Sequence, residues 1–507
     1  MNRFHITRRT LMAGAFSLPL IAGLRPAGAQ DAIGLAEELV IDQPSPPESI
    51  DPALAYAPHD WSIVHSIYDA LVQFDESGQL VPLAAETFQT SDAITFDVTL
   101  REGLTFHDGS PVTTAAITRS VAYMKDSGSS ASDLFAGIER VEEIDDLTAK
   151  IICAEPSPWL PAQLAPWIVL IPEGLTPDSA VSAPVGSGPY RFESYDTGSQ
   201  ITLVRNEAYT WNSPKGQPMA ERVVYRFIPE ATTRIADIAS GETDLITEVP
   251  LDQWSAVESS GAALLATPVV GIWFVRIGTD AEPFDDIRVR QAVNHAIDAQ
   301  AIASSLVGEG ANRIASIFPD ERSLGFDPDV QPYPYDVEKA RSLLREVGLE
   351  NGFTTKLEMT ANARIDIAEA IAGYLAEVGI TVDLVSSDYA TFNAGWADTS
   401  RPALRMVTWS PLYDPHTLLS LAFVTGGYLS RYSNEAVDKA FAASSVEPDP
   451  EKRAGYLRQV NAALRDDPAC IYLWNQVTTY GVTESMSEWQ GRGDEYVIAT
   501  TTTGSPE

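Results

Sequence analysis

The chain is poor in cysteine, histidine and basic residues. Cys153 and Cys470 are the only cysteines in 507 residues, too few for a disulfide scaffold or a zinc site of cysteines alone. They fall in segments assigned below to different domains, which argues against a bridge between them. The histidines form no His-x-x-x-His pair. His59 and His65 flank Trp61, but nothing else there recruits a metal, so neither a metal nor a cofactor is expected. Lys and Arg total 34 against 70 Asp and Glu, a formal charge of -36. Nucleic acid and anionic lipid are bound through basic surface that displaces counterions, so both are excluded as partners.

Catalytic signatures are also missing. Val185-Gly186-Ser187-Gly188-Pro189 lacks the spacing of a nucleophile elbow, and Pro189 blocks the helix that must follow one. No phosphate loop of the form Gly-x-x-x-x-Gly-Lys-Ser/Thr occurs, so ATP is not bound that way. The sequence gives no reason to expect an enzyme.

One apolar stretch stands out, from Leu11 to Leu24. It follows the pair Arg8-Arg9 and precedes the small-residue cleavage site Ala27-Gly28-Ala29. Basic start, short apolar run and Ala-x-Ala end make residues 1–29 a signal peptide, and the paired arginines favour the twin-arginine route. The run contains Gly14, Pro19 and Gly23 and is short for a membrane span. No cysteine follows it, so no lipid anchor is expected. Cleavage removes four arginines and no acid, taking the charge from -36 to -40. The mature protein is expected in the periplasm.

The rest reads as an ordinary globular chain, 45% hydrophobic and 21% charged, long enough for two to four domains. Ile63, Ile67, Ala70, Leu71 and Phe74 share one helical face, and Phe96, Val98 and Leu100 alternate as a strand. A helix is expected from Thr114 to Met124, and strands at 201–204 and 223–228. The second half is regular α/β. Asp286 to Val307 reads as one helix. Asp336 caps a helix that stops at Gly348. A strand near 356–359, a helix over 365–378 closed by Gly379, and a strand from Ile380 form a βαβ unit.

Six motifs then carry a family resemblance. In order they are Ser49-Ile50-Asp51-Pro52, Tyr68-Asp69-Ala70-Leu71-Val72, Leu104 through Val112, Gly186-Ser187-Gly188-Pro189-Tyr190, Phe284 through Ala292, and Arg431 through Asp438. Together they resemble the family 5 extracellular solute-binding proteins of ABC transporters, the dipeptide and oligopeptide receptors. The resemblance implies an α/β, type II periplasmic binding protein-like fold with two lobes around a ligand cleft and an inserted third domain. Lobe I is expected at 30–49, 182–270 and 475–507, the inserted domain at 50–181, and lobe II at 271–474. It implies a monomeric receptor that closes on a peptide and delivers it to an ABC permease in the inner membrane. An opine, an oligosaccharide or a metal chelate are the alternative ligands. A secreted hydrolase or a chaperone on this fold is less favoured.

The resemblance also suggests ligand contacts. The segment Trp409 to Pro415 matches the family pattern Gly-Trp-x-x-Asp-Tyr-x-Asp-Pro through Trp409, Tyr413 and Asp414, but is one residue shorter. Pro411 or Leu412 falls where the family's first Asp pairs with the peptide ammonium, so either Asp414 takes that role or the ligand is not an ordinary free-amine peptide. Tyr389 aligns with a pocket aromatic. Trp273 and Phe274 follow the lobe crossing, Pro46 and Pro47 leave the first strand, Tyr56 and Trp61 edge the inserted domain, and Arg405 is placed to meet a carboxylate. Gly186, Gly188 and Pro189 read as turn geometry near a hinge.

Overall fold

The structure, a computed structural model, describes residues 35–129, 131–361 and 363–501; the expected signal peptide lies outside them. A ten-stranded mixed sheet runs through the molecule. Its centre is an antiparallel pair of long strands, Ala263–Ile277 and Cys470–Val482. One end of this pair continues into the strands Leu245–Thr247, Ala36–Gln43, Ala220–Phe227, Gln200–Arg205 and Tyr190–Asp196. The other continues into Leu404–Trp409, Phe353–Thr360 and Ile380–Ser387. The two long strands are therefore shared by two lobes.

The ladder between them slips between Pro268 and Ile272. Proline has no N–H to give to a ladder, and Val270 spends its backbone elsewhere. Its N–H donates to the Gly493 carbonyl at 2.9 Å and its carbonyl accepts from the Leu412 N–H at 2.6 Å. The lobe crossing is thus tied at once to the C-terminal segment and to the loop after Trp409.

Beyond the crossing the α/β alternation expected from sequence is present. Phe353–Thr360 and Ile380–Ser387 pair in parallel around the helix Ile365–Glu377. One face of this end of the sheet buries Leu357, Met359, Leu404 and Met406 against Val289, Val293, Leu344, Ile371 and Leu375. The opposite face buries Ile272 and Phe274 with Leu418, Phe423, Leu457 and Val460. Asp336 caps its helix as expected, accepting from Lys339 N–H at 2.8 Å. The single helix expected over 286–307 is two, Ile287–Ala296 and Ala299–Leu306. Ile297 is extended, and Asp298 caps the second helix through Ala301 N–H at 3.0 Å. Capping by an Asp inside an apolar run breaks the period without interrupting the hydrophobic face.

The third module carries a four-stranded antiparallel sheet, Ala85–Gln89, Thr95–Leu100, Thr148–Cys153 and Ile138–Glu143, with the helix Thr114–Asp126 packed on it. Cys153 is in this core and Cys470 in another, and both are free thiols. The helical face read from Ile63 to Phe74 is shorter than its periodicity suggests. The helix Pro58–Ile67 ends where Tyr68 turns extended, and Val72–Phe74 is a strand. Gly186 and Gly188 lie against that helix end, with Gly188 N–H donating to the Ile67 carbonyl at 2.8 Å. A Cβ on Gly188 stands 2.7 Å from the Ile67 carbonyl carbon, so the contact requires glycine.

The two ends of the described chain meet. Ala36 N–H donates to the Met219 carbonyl, and Met219 N–H donates to the Ala499 carbonyl, both at 3.0 Å. No helix among the described residues is long and apolar enough to cross a membrane.

Candidate functional site

A small cavity of about 30 Å³ lies where three stretches of chain converge. His65, Phe74 and Pro166 come from the stretch with the four-stranded sheet, Pro411 and Tyr413 from the loop after Trp409, and Lys215, Arg492, Asp494 and Tyr496 from the lobe that holds the C-terminus. A space of that size holds about two waters.

Aromatic faces line this meeting. Tyr413 stacks on Phe74 with ring centroids 4.1 Å apart and planes 16° apart. Tyr496 stacks on His65 at 5.0 Å and 15°, and Trp61 leans on Tyr496 at 5.6 Å. Burial, reinforced by Lys215, holds the His65 imidazole well below its ordinary pKa, so it is neutral. Aromatic walls with a few placed polar groups are what a small-ligand site needs.

The charges at the cavity are paired. Arg492 grips Asp494 with two hydrogen bonds, 2.9 and 2.6 Å. Burial opposes the charge on this guanidinium, but Asp494 more than offsets it and raises its pKa. Lys215 is fully buried, donating to Asp69 at 2.6 Å and to the His65 and Tyr68 carbonyls at 2.8 Å. Beside Asp494, Glu495 has left-handed backbone (φ 67°). It accepts from Gln476 at 2.7 Å, Thr478 at 2.5 Å and Ser410 at 3.0 Å. One carboxylate thus joins the C-terminal segment, the crossing strand and the loop after Trp409. Burial raises its pKa.

The loop Ser410 to Pro415 begins with a cis bond before Pro411. Asp414 faces away from the cavity wall and takes both arms of Arg453, at 2.6 and 2.9 Å. Burial works against its charge, but Arg453 outweighs it and holds the carboxyl below its usual range. It also caps the next turn through His416 N–H at 3.0 Å. Leu412 is buried.

Of the other residues singled out from sequence, Trp409 is half-buried beside the same loop and packs with Phe74 against the core of that lobe. Trp273 stacks on Trp474 at 6.3 Å, and Phe274 is fully buried against Phe423. Arg405 is fully buried against Glu358 rather than facing the cavity. Tyr389 is 63% exposed at the start of a short helix capped by Asp388. Tyr56 packs on Trp167 at 5.2 Å. Pro46 is exposed and Pro47 buried. Gly186, Gly188 and Pro189 lie at the end of the helix Pro58–Ile67, and the strands that cross between lobes do not include them. Sequence reasoning singled out neither Arg492, Asp494, Tyr496 and Lys215 nor Glu495. The run Arg492-Gly493-Asp494-Glu495 has no periodicity, and the residues it meets at the cavity, His65, Phe74, Lys215 and Tyr413, are remote in sequence.

Comparison with known proteins agrees with this architecture. The family described as bacterial extracellular solute-binding proteins, family 5 Middle, matches residues 79–429. The glutathione-binding protein GsiB of Pectobacterium atrosepticum is 31% identical over 502 residues, covering 93% of this chain and 94% of the relative. Among solved structures, the periplasmic binding protein DppA of Helicobacter pylori in complex with the peptide STSA superposes with a TM-score of 0.76 at 20% identity, over 92% of this chain and 97% of that one. AgaA in complex with agropinic acid, from Agrobacterium tumefaciens R10, gives 0.74 at 24%, over 88% and 93%. The chain belongs to the family 5 extracellular solute-binding proteins of ABC importers. Its fold is that of the type II periplasmic binding proteins, mixed α/β with two lobes, a cleft and a third domain. Its homologues are periplasmic, are binding proteins and not enzymes, and carry small ligands to ABC permeases.

Proposed function

We propose that this protein is the peptide receptor of an ABC importer, exported through its twin-arginine leader, monomeric and unanchored in the periplasm. Lobe I comprises 30–49, 182–270 and 475–507, the inserted domain 50–181, and lobe II 271–474. The observation that carries the reading is the cavity at which all three modules contribute side chains, with Tyr413 and Tyr496 as aromatic walls and Arg492 as a charged group. A ligand that touches all three modules is bound only when they close, and so shifts the protein toward the closed state recognised by a permease. Ligand contacts are proposed for Tyr413, Trp409, Trp61 and the Arg492–Asp494 pair.

A second reading has its own support. The loop has Leu412 buried where the resemblance calls for an acid, and Asp414 is neutralised by Arg453. That arrangement lacks the loop carboxylate expected for a ligand ammonium and favours a carboxylate-rich compound such as an opine. The structure with agropinic acid and the glutathione-binding relative make such compounds the comparison set.

Thermal unfolding of the mature protein decides between these readings. Saturating ligand raises stability by RT ln(1 + [L]/Kd), about 2.7 kcal/mol at a hundredfold excess. Di- and tripeptides, glutathione and opines form the panel. A shift from opines alone overturns the peptide reading, and mass spectrometry of the ligand co-purified from the host identifies the compound.

A further inference from the structure

Four buried side chains stand in one row across the lobe that contains Leu404–Trp409. Glu358 is paired with Arg405, Arg405 with Arg276, and Arg276 with Cys470, each on the neighbouring strand. Arg276 is 2% exposed and the other three are 0% exposed. The charges in this row do not balance. Arg405 and Arg401 share Glu358. Arg431 pairs with Asp280 at 2.7 Å. Arg276 makes no salt bridge among the described residues, and its Nη1 donates only to the carbonyls of Trp396 and Leu429.

Side chains directly opposite on neighbouring strands are close, and like charges there repel. Removal from water makes this worse, because a buried ion is tolerated only with compensating charge and hydrogen bonds. Several donors here lack them. Nε and Nη2 of Arg276 and Nη1 of Arg405 have no hydrogen-bond partner. The faces of Phe392 and Trp396 cover the Arg405 guanidinium at 4.0 and 5.2 Å, and Trp396 covers Arg276 at 5.4 Å. These contacts satisfy ring faces but not the in-plane N–H groups. Burial, then Arg405 and Arg431, pushes the Arg276 guanidinium down to about 9. Burial, then Arg401 and Arg431, pushes Arg405 down to about 10.

We propose that Arg276 and Arg405 together hold a small monovalent anion of the halide class, buried beneath the segment from Tyr389 to Trp396. The orphan donors set its chemistry. Apart from Arg405 Nε, which stands 3.1 Å from Glu358 Oε2, the two guanidiniums supply three unpartnered nitrogens inside an aromatic enclosure, which suits one compact charge. A phosphate or sulfate needs more donors than this site offers. The anion neutralises the excess charge between two facing arginines and ties the strand Ala263–Ile277 to Leu404–Trp409. The site is built within one lobe and does not depend on which ligand the cleft receives.

The test uses the full mature protein with chloride and bromide as probes. At constant ionic strength, replacing gluconate by chloride raises the unfolding temperature of the wild type, and Arg276→Met abolishes that rise. An equal chloride response in wild type and Arg276→Met overturns the proposal. If Arg276→Met does not fold, the wild type alone decides it. Crystals grown in bromide then show an anomalous peak in contact with both guanidiniums, and the lack of a peak there overturns the proposal even if bromide is found elsewhere.

Discussion

Tyr413 lies flat on Phe74, ring centroids 4.1 Å apart, and so joins the loop after Trp409 to the module that carries the four-stranded sheet. Neither residue's neighbours in sequence suggest the other. The stack is one wall of the cavity, and it forms only when those two parts are together. Removing it should therefore affect capture as well as folding. Tyr413→Ala is expected to weaken ligand binding by up to about tenfold, the worth of one aromatic pair. Tyr413 is 5% exposed and packs in the core of its own lobe, so the unfolding temperature without ligand should fall as well, as for a core truncation. Isothermal titration and thermal unfolding check the two halves of this expectation.

Asp414 and Arg453 form a buried two-armed ion pair. Breaking such a pair from one side leaves an uncompensated charge and costs about 3–5 kcal/mol. Arg453→Met is expected to fall in that range by urea unfolding. The double variant Asp414→Leu with Arg453→Met should recover a good part of the loss, because no lone charge remains. A double variant as unstable as the single would point to packing rather than charge.

Glu495 makes stability depend on pH in a fixed direction. Its folded pKa is raised by burial above the ordinary 4.5, so the folded protein holds a proton there that the unfolded chain has released. Stability from this group is fully present below about 4.5 and is lost as pH rises through the folded pKa. Other acids titrate in the same region, so the difference between wild type and Glu495→Gln isolates the effect. Relative to wild type, Glu495→Gln should gain stability as pH rises through that window. A difference that does not vary with pH would remove Glu495 as the source.

Gly271 sits where the crossing strand passes the loop, and a Cβ there stands 2.7 Å from Ser410 Cβ. Real Cβ atoms do not approach that closely, so Gly271→Ala must displace the loop Ser410–Tyr413 or the strand. We expect the substitution to slow and weaken ligand capture, measured by stopped-flow tryptophan fluorescence. Gly188→Ala, pressed against Ile67, should instead lower stability, by about 1–3 kcal/mol.

Much of the fold was legible because its signals are local. Asp336 before an apolar period and Gly379 before Ile380 mark helix ends on their own, and the βαβ unit over 353–387 follows from them. The helix read through Ile297 misled because hydrophobic spacing continues across a cap, and the helix read through Phe74 because apolar spacing does not distinguish a helix from the strand that follows it. The candidate site was much less legible. Tyr413 came from a motif, but Arg492, Asp494 and Tyr496 are brought to His65 and Lys215 by pairing across most of the chain. Arg405 carried a charge that suggested a ligand carboxylate, but it is buried against Glu358 from a separate strand.

Met219 is clasped from both sides, by Ala36 from the start of the described chain and by Ala499 near its end. The lobe containing it cannot be finished while its last strand partners are still inside the ribosome. The four-stranded module, whose core is built from an early stretch of the chain, is free to fold as it emerges, since domains generally fold as units during synthesis. The ligand wall formed by Arg492 and Tyr496 is therefore the last part of the protein to come into being, and a nascent chain truncated before it has a nearly complete scaffold but no receptor.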